Sequence, residues 1–301
     1  MKYSNLLENC RLCNRLCGTN RMNGSLGVCG ANDKLKIARA ALHKWEEPPV
    51  SGDKGSGTVF FSHCNLKCVF CQNHEISQEY FGEYITVTRL SEIFMELQNQ
   101  GAANINLVTP THYIPQIIEA IEIAKSKGLS LPILYNTNGY DSLEAIKLLD
   151  GYIDVYLPDF KYFNDKYALK YSKINNYEKQ ILPILKEMFR QVGTPKFNDK
   201  GLIEKGIIIR HLMLPGLLFD SKKVIDKIYS TFGDNVYISI MNQYTPLHKA
   251  CNYPEINKDL NPKHYDSLIN YAAEIGVKNG FIQESGTNDK KYVPPFNLEG
   301  I

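Results

Sequence analysis

From residue 57 onward, seven short runs rich in β-branched and aromatic residues alternate with helical patterns: 57–62 (GTVFFS), 104–109 (NINLVT), 131–136 (LPILYN), 153–157 (IDVYL), 206–212 (GIIIRHL), 235–240 (NVYISI) and 280–283 (GFIQ). Continuous apolar runs of this length read as strands buried on both faces. Between them, Ile93, Phe94 and Leu97 repeat at helical spacing behind Ser91 as a cap, and Ile117, Ile118, Ile121 and Ala124 end at Gly128. Asp141 and Glu144 have the spacing of a capping box, 177–192 is apolar on one face with Pro183 inside, Ser221 opens another helix, and Asn261-Pro262 reads as a cap followed by proline at the first helical position. Strand and helix thus alternate six times, with a seventh strand at the end. Such alternation implies parallel strands joined by right-handed crossovers.

An open doubly wound sheet and a barrel both fit that order. No glycine-rich phosphate fingerprint follows the first strand, and there are too few units for eight. The expected fold is α/β, a partial (βα)6 TIM-like barrel over residues 51–301 with a C-terminal extension, its chemistry at the C-terminal ends of the strands. Residues 1–50 break the pattern and read as a small metal-binding N-terminal segment, with Glu46-Glu47-Pro48-Pro49-Val50-Ser51-Gly52 as the boundary.

The net charge of +2 favours neither nucleic acid nor a membrane surface as partner. No run approaches the ~20 apolar residues of a membrane span, and no apolar leader opens the chain, so a cytoplasmic location is expected. In a reducing compartment clustered cysteines signal metal binding or catalysis rather than disulfides. Seven of the eight cysteines are clustered, as Cys10, Cys13, Cys17 and Cys29, then Cys64, Cys68 and Cys71; Cys251 stands apart and reads as a small apolar residue.

The stretch CNLKCVFC follows directly on the first strand of the array. A cubane iron–sulfur cluster needs four ligands, and this loop supplies three thiolates. The fourth iron is then open to an exchangeable molecule, as in catalytic rather than structural metal sites. A structural zinc site is the alternative, with His63 or His74 as its fourth ligand. The N-terminal set has four thiolates in a segment too short to build its own core, so a metal would stabilise it; zinc and an auxiliary iron–sulfur cluster fit its spacing equally. The basic residues there (Arg11, Arg15, Arg21, Lys34, Lys36, Arg39) read as a solvated face.

The spacing Cys64-x3-Cys68-x2-Cys71, with Phe70 before the last cysteine, resembles the signature of the radical S-adenosylmethionine (SAM) superfamily. More narrowly, the chain is similar to pyruvate formate-lyase activating enzyme and to uncharacterised relatives with an N-terminal four-cysteine segment. The resemblance implies a [4Fe–4S] cluster on Cys64, Cys68 and Cys71 and SAM as second cofactor. It implies an electron donor such as flavodoxin or ferredoxin, and adenine contact at the Phe70 backbone. Asn136 and Asn138 match a motif after the third strand whose polar groups lie near SAM; Asp159 and Lys161 match an Asp-x-Lys motif and are the catalytic candidates. Arg210 and His211 match a segment facing the SAM carboxylate and ribose. Where the activating enzymes carry Gly-Gly-Glu for the SAM amino group, this chain has Val108-Thr109-Pro110-Thr111-His112, offering the hydroxyls of Thr109 and Thr111 and no carboxylate.

Three functions follow. The first is reductive cleavage of SAM with hydrogen-atom abstraction from a glycine of a partner protein, activating a glycyl radical enzyme. The second is the same cleavage serving a small molecule or peptide. The third is a metal-binding adaptor without catalysis.

Overall fold

The computed structural model describes residues 5–283 and 294–301. All seven expected strands are present, as β2 (Ser56–Phe61), β4 (Ile105–Val108), β5 (Ile133–Thr137), β6 (Val155–Pro158), β8 (Ile203–Leu212), β9 (Tyr237–Met241) and β10 (Gly280–Ile282). They lie side by side in that order and every neighbouring pair is parallel. Two further strands extend the β2 edge antiparallel, β1 (Leu35–His43) against β2 and β3 (Glu83–Ile85) against β1, while β7 (Lys196–Phe197) pairs with β8. The sheet is not closed, since β10 and β3 are its two ends.

Six helices make the crossovers: Val87–Asn99, Ile114–Ser126, Leu143–Leu148, Tyr177–Val192, Leu218–Phe232 and Pro262–Glu274. Their starts correct three of the expected caps. Thr86, not Ser91, caps the first, accepting from the Arg89 N–H, and Ser91 lies inside it. Ser142, not Asp141, caps the third. Leu218 opens the fifth, three residues before Ser221. Asn261 and Pro262 start the last as expected. Each helix lays one apolar face on the sheet; in the first this is Leu90, Ile93, Phe94 and Leu97, all fully or almost fully buried. Those four side chains contribute roughly 6–12 kcal/mol of burial free energy as an upper bound.

Alternation along the strands separates two cores. Ile207 and Ile209 face the helices, whereas Ile208 points inward with Leu134, Val155 and Leu157, where Val50 closes the floor. β1 lies within the stretch read as a metal-binding segment, yet it is a full strand of this sheet, six of its residues being paired with β2. The segment 294–301 returns to the same edge: Ala40 N–H donates to the Glu299 carbonyl, Leu298 N–H to that of Ala38, and Phe296 packs edge-on against Phe60.

Candidate active site

β2 ends at Phe61, and the chain turns through His63, held in the left-handed region at φ 76°, into the three-cysteine loop. The loop is anchored on three sides. Lys67 N–H donates to the Ser172 carbonyl at 3.2 Å, Val69 N–H to that of Tyr171 at 2.9 Å, and Lys249 N–H to that of Val69 at 2.8 Å. Cys64, Cys68 and Cys71 all line one cavity of about 480 Å³. Each sulfur already has a hydrogen-bond partner: Leu66 N–H at 3.4 Å and Asn138 Nδ2 at 3.5 Å donate to Cys64, while Ser172 Oγ lies 3.0 Å from Cys68 and Ser77 Oγ 3.3 Å from Cys71. Burial, then the neighbouring thiolates, pushes the Cys64 thiol up to about 12 and Cys71 to about 11. Three such groups ionise together only against a strongly positive centre, which a metal cluster provides.

Opposite the cysteines stands a charged wall. Asp159 and Lys161 leave the end of β6 and pair at 2.7 Å, while Arg210 on β8 reaches Asp159 at 2.9 Å and Glu46 at 3.3 Å. Burial opposes the Asp159 charge, but Lys161 and Arg210 outweigh it and hold the carboxyl below its ordinary value; Lys161 is raised in return. The internal strand position of Arg210 demanded an anionic partner, and the chain supplies two. Glu46 went unnoticed in the sequence because its Glu-Glu-Pro-Pro context reads as a linker. It projects into the barrel, where Asn106 Nδ2 at 3.2 Å and Asn136 Nδ2 at 3.3 Å also donate to it. Burial raises its carboxyl more than Arg210 lowers it.

The remaining sequence candidates divide. Thr109, in the left-handed region at φ 57°, lines the cavity, as do Asn136 and Asn138. Phe70 lines a smaller neighbouring cavity of about 180 Å³ that shares Cys68, Cys71, Asp159 and Lys161, and its ring packs on Tyr244. Thr111 and His211 line neither. The Thr111 hydroxyl donates to Asp141 at 2.7 Å, and that buried carboxylate also accepts from Tyr135 and Thr137. His211 faces outward, its Nδ1 on the Phe160 carbonyl at 2.7 Å, and burial lowers it to about 4. The N-terminal cysteines form a second group: Gly27's Cβ position lies 3.2 Å from Cys29 Sγ and 3.8 Å from Cys17 Sγ, and Cys10 and Cys13 are electrostatic neighbours of Cys29.

Residues 58–228, more than half of the chain, match the family model of the radical SAM superfamily. The chain belongs to that superfamily. This radical SAM enzyme is 31% identical over 282 residues to the uncharacterized protein MJ0674 of Methanocaldococcus jannaschii, an alignment covering 91% of the chain and 77% of that protein. In structure it is similar to SuiB of Streptococcus suis bound to the precursor peptide SuiA, with TM-score 0.50, 14% identity and 74% of the chain covered. The chain spans about half, 47%, of SuiB, so the likeness is one of fold. The hydrogenase maturase HydG of Carboxydothermus hydrogenoformans follows at TM-score 0.46 and 15% identity, over 78% of the chain and 59% of HydG.

Membership gives the enzyme a [4Fe–4S] cluster and SAM as cofactors and a requirement for an electron donor. The residues present fit that pair. Three thiols face one cavity, and neither His63 nor His74 converges on them to complete a zinc site. Among the described residues, three ligand atoms draw within 4.8 Å of one another only at His74, Glu79 and His248. No helix among the described residues is long and apolar enough to cross a membrane.

Proposed function

We propose that this enzyme cleaves SAM reductively at Cys64, Cys68 and Cys71 and directs the radical to a hydrogen atom on a polypeptide substrate, in the manner of a glycyl-radical-enzyme activase. The observation that carries the reading is the cavity itself. Its three thiols, Asn138, Asp159 and Lys161 share a space of about 480 Å³, near the lower end of the roughly 300–1,000 Å³ that a drug-sized ligand needs. A bound cluster and SAM would fill much of it, which would leave a substrate to meet the reaction at the mouth. The lining includes two exposed large apolar side chains, Trp45 and Ile282, each at 58% exposure, which suit an inserted segment of chain better than a small polar metabolite.

When bound, the cluster and SAM supply a reducible sulfonium and a 5′-deoxyadenosyl radical. The residues position and tune. With thiolate ligands, Asn138, Ser172 and Ser77 would donate to the sulfurs and so favour the more negative, reduced form of a bound cluster. Lys161, kept protonated by Asp159, places a cation near Cys68. Asn136 and Arg210 engage Glu46 and Asp159, and so fix the wall that would face a bound SAM. Thr109, which also lines the cavity, is left for its polar groups.

The test is anaerobic reconstitution, reduction with dithionite, addition of SAM and measurement of 5′-deoxyadenosine, with Cys64→Ala as control and pyruvate formate-lyase as the polypeptide probe. Product that Cys64→Ala abolishes, with a glycyl radical signal on the probe, is expected. Product without transfer to any polypeptide moves the substrate to a small molecule; no product at all removes catalysis.

A further inference from the structure

The N-terminal cysteines lie beside the three-cysteine loop, and the contact between them is specific. The carbonyl of Tyr140 accepts two hydrogen bonds, from Asn14 N–H at 3.1 Å and from Asn65 Nδ2 at 3.0 Å. Asn14 follows Cys13, and Asn65 follows Cys64. One carbonyl therefore joins the two cysteine sets through two hydrogen bonds and short covalent stretches. Arg15 reinforces the joint, donating through Nε to the Asn65 carbonyl at 2.8 Å and through Nη1 to that of Lys173 at 2.6 Å. Its Nη2 is buried without a partner, and its charge acts on Cys68. Cys13 itself forms a backbone bridge to Asp141, so the segment is fixed to the loop between β5 and the following helix rather than merely adjacent.

The spread of the sulfurs discriminates between metals. Tetrahedral zinc, with Zn–S of about 2.3 Å, sets its four sulfurs about 3.8 Å apart. No three of Cys10, Cys13, Cys17 and Cys29 come within 4.8 Å of one another, and neither do Cys64, Cys68 and Cys71, whose cluster is implied by the family. Neither set thus draws its sulfurs as close as a single tetrahedral ion would hold them, and thiolates bound to different irons need no such approach. The sulfurs also sit among donors of the kind that set cluster potentials: the fully buried Arg21 is 3.7 Å from Cys10, and Thr19 Oγ1 is 3.4 Å from Cys17. On the outer side Cys17 is half-exposed, and Leu16, Leu26 and Val28 stand open around it at 54%, 61% and 49% exposure, with the basic Arg11 and Lys34 also exposed.

We propose that Cys10, Cys13, Cys17 and Cys29 hold a second iron–sulfur cluster, coupled through Asn14, Tyr140 and Asn65 to the SAM-cleaving cluster, through which the electron for cleavage arrives. This rests on the cleavage proposed above. The balance is one electron per turnover: an acidic, low-potential one-electron carrier protein is oxidised, the outer cluster takes the electron and passes it on, and the inner cluster is reduced. No proton or bond changes hands in the transfer.

Iron, sulfide and zinc are counted on the reconstituted full chain, and reduced samples are examined by electron paramagnetic resonance. About eight irons per chain and no zinc are expected, with signals broadened by coupling between two reduced clusters. Cys17→Ala with Cys29→Ala should leave about four irons and one unbroadened signal. In that variant, reduction of the inner cluster by photoreduced flavodoxin should fall more than tenfold, while reduction by dithionite persists. Four irons with one zinc in the wild-type chain, a count that needs no variant to fold, overturns the inference. So does an unchanged flavodoxin-driven rate in the variant. Either outcome, with dithionite-driven 5′-deoxyadenosine intact, leaves the cleavage reading standing.

Discussion

Replacing Arg210 by methionine isolates what the charged wall costs and contributes. The side chains of Arg210, Glu46 and Asp159 are 11%, 13% and 15% exposed. Without the guanidinium, Asp159 keeps Lys161, but Glu46 loses its cation and keeps only the amides of Asn106 and Asn136. Removing one partner of a buried ion pair costs about 3–5 kcal/mol. An unfolding entropy of about 2.1 cal/mol/K per residue, over 301 residues, makes each kcal/mol worth roughly 1.6 °C, so the melting temperature should drop by about 5–8 °C near pH 8. The sign of the pH dependence follows from Glu46. Its folded carboxyl is raised by burial, so the native state holds that proton more tightly than the unfolded chain does. Stability from this group is complete below the ordinary glutamate range and is lost as pH rises through the raised value. Loss of Arg210 raises it further, so the deficit of Arg210→Met should widen toward pH 8 and narrow toward pH 5. Adding Glu46→Gln should recover more than half of it. Scanning calorimetry on the cluster-loaded protein at several pH values reads all three. A single variant within 2 °C of wild type at pH 8, or a double variant no better than the single, refutes the reasoning.

Gly139→Ala should cost at least about 1–3 kcal/mol and displace the Asp159 backbone, since φ is 75° and the new methyl would run into Ile181 Cδ1 and meet the Asp159 carbonyl at 2.6 Å; calorimetry and SAM cleavage check it. Thr111→Val removes one hydrogen bond to Asp141, should lower stability by about 1–2 kcal/mol and should leave SAM affinity unchanged, whereas Asn138→Ala should weaken binding or cleavage; equilibrium dialysis with labelled SAM separates them. Asp141→Asn turns an acceptor of three hydroxyls partly into a donor and should destabilise by about 2–4 kcal/mol. Burial raises Asp141, so its ionisation costs stability as pH rises, and the gap between the Asp141→Asn variant and the wild-type chain should shrink at high pH, as parallel melts would show.

The strands and their order were legible because buried parallel strands leave unbroken apolar runs, and the three-cysteine loop because its ligand spacing is covalent in origin. The strand β1 was not: its LKIARAALH has neither a long apolar run nor a clean alternation, and only pairing with β2 and β3 makes it a strand. Glu46 was invisible because nothing local distinguishes a carboxylate in a linker from one that turns into a barrel. The pairing of Arg210 with His211 as site residues ignored a rule that was available. Consecutive strand residues face opposite ways, so once Arg210 points inward His211 cannot. Thr111 falls similarly one turn beyond Thr109, in the short helix Thr111–Tyr113 that carries it under the sheet's end.

The anchoring of the cluster loop bears on how the holoenzyme matures. In a zinc finger the metal is the core, and the polypeptide collapses only as the ion arrives. Here the backbone of residues 67–69 is already tied to Tyr171, Ser172 and Lys249 by bonds that involve no sulfur, on a scaffold with its own large apolar interior. The scaffold is thus built to hold the cluster loop without the cluster's own bonds. Oxidative loss of a bound cubane should therefore leave a folded apoprotein that can be recharged rather than one that must be degraded and remade.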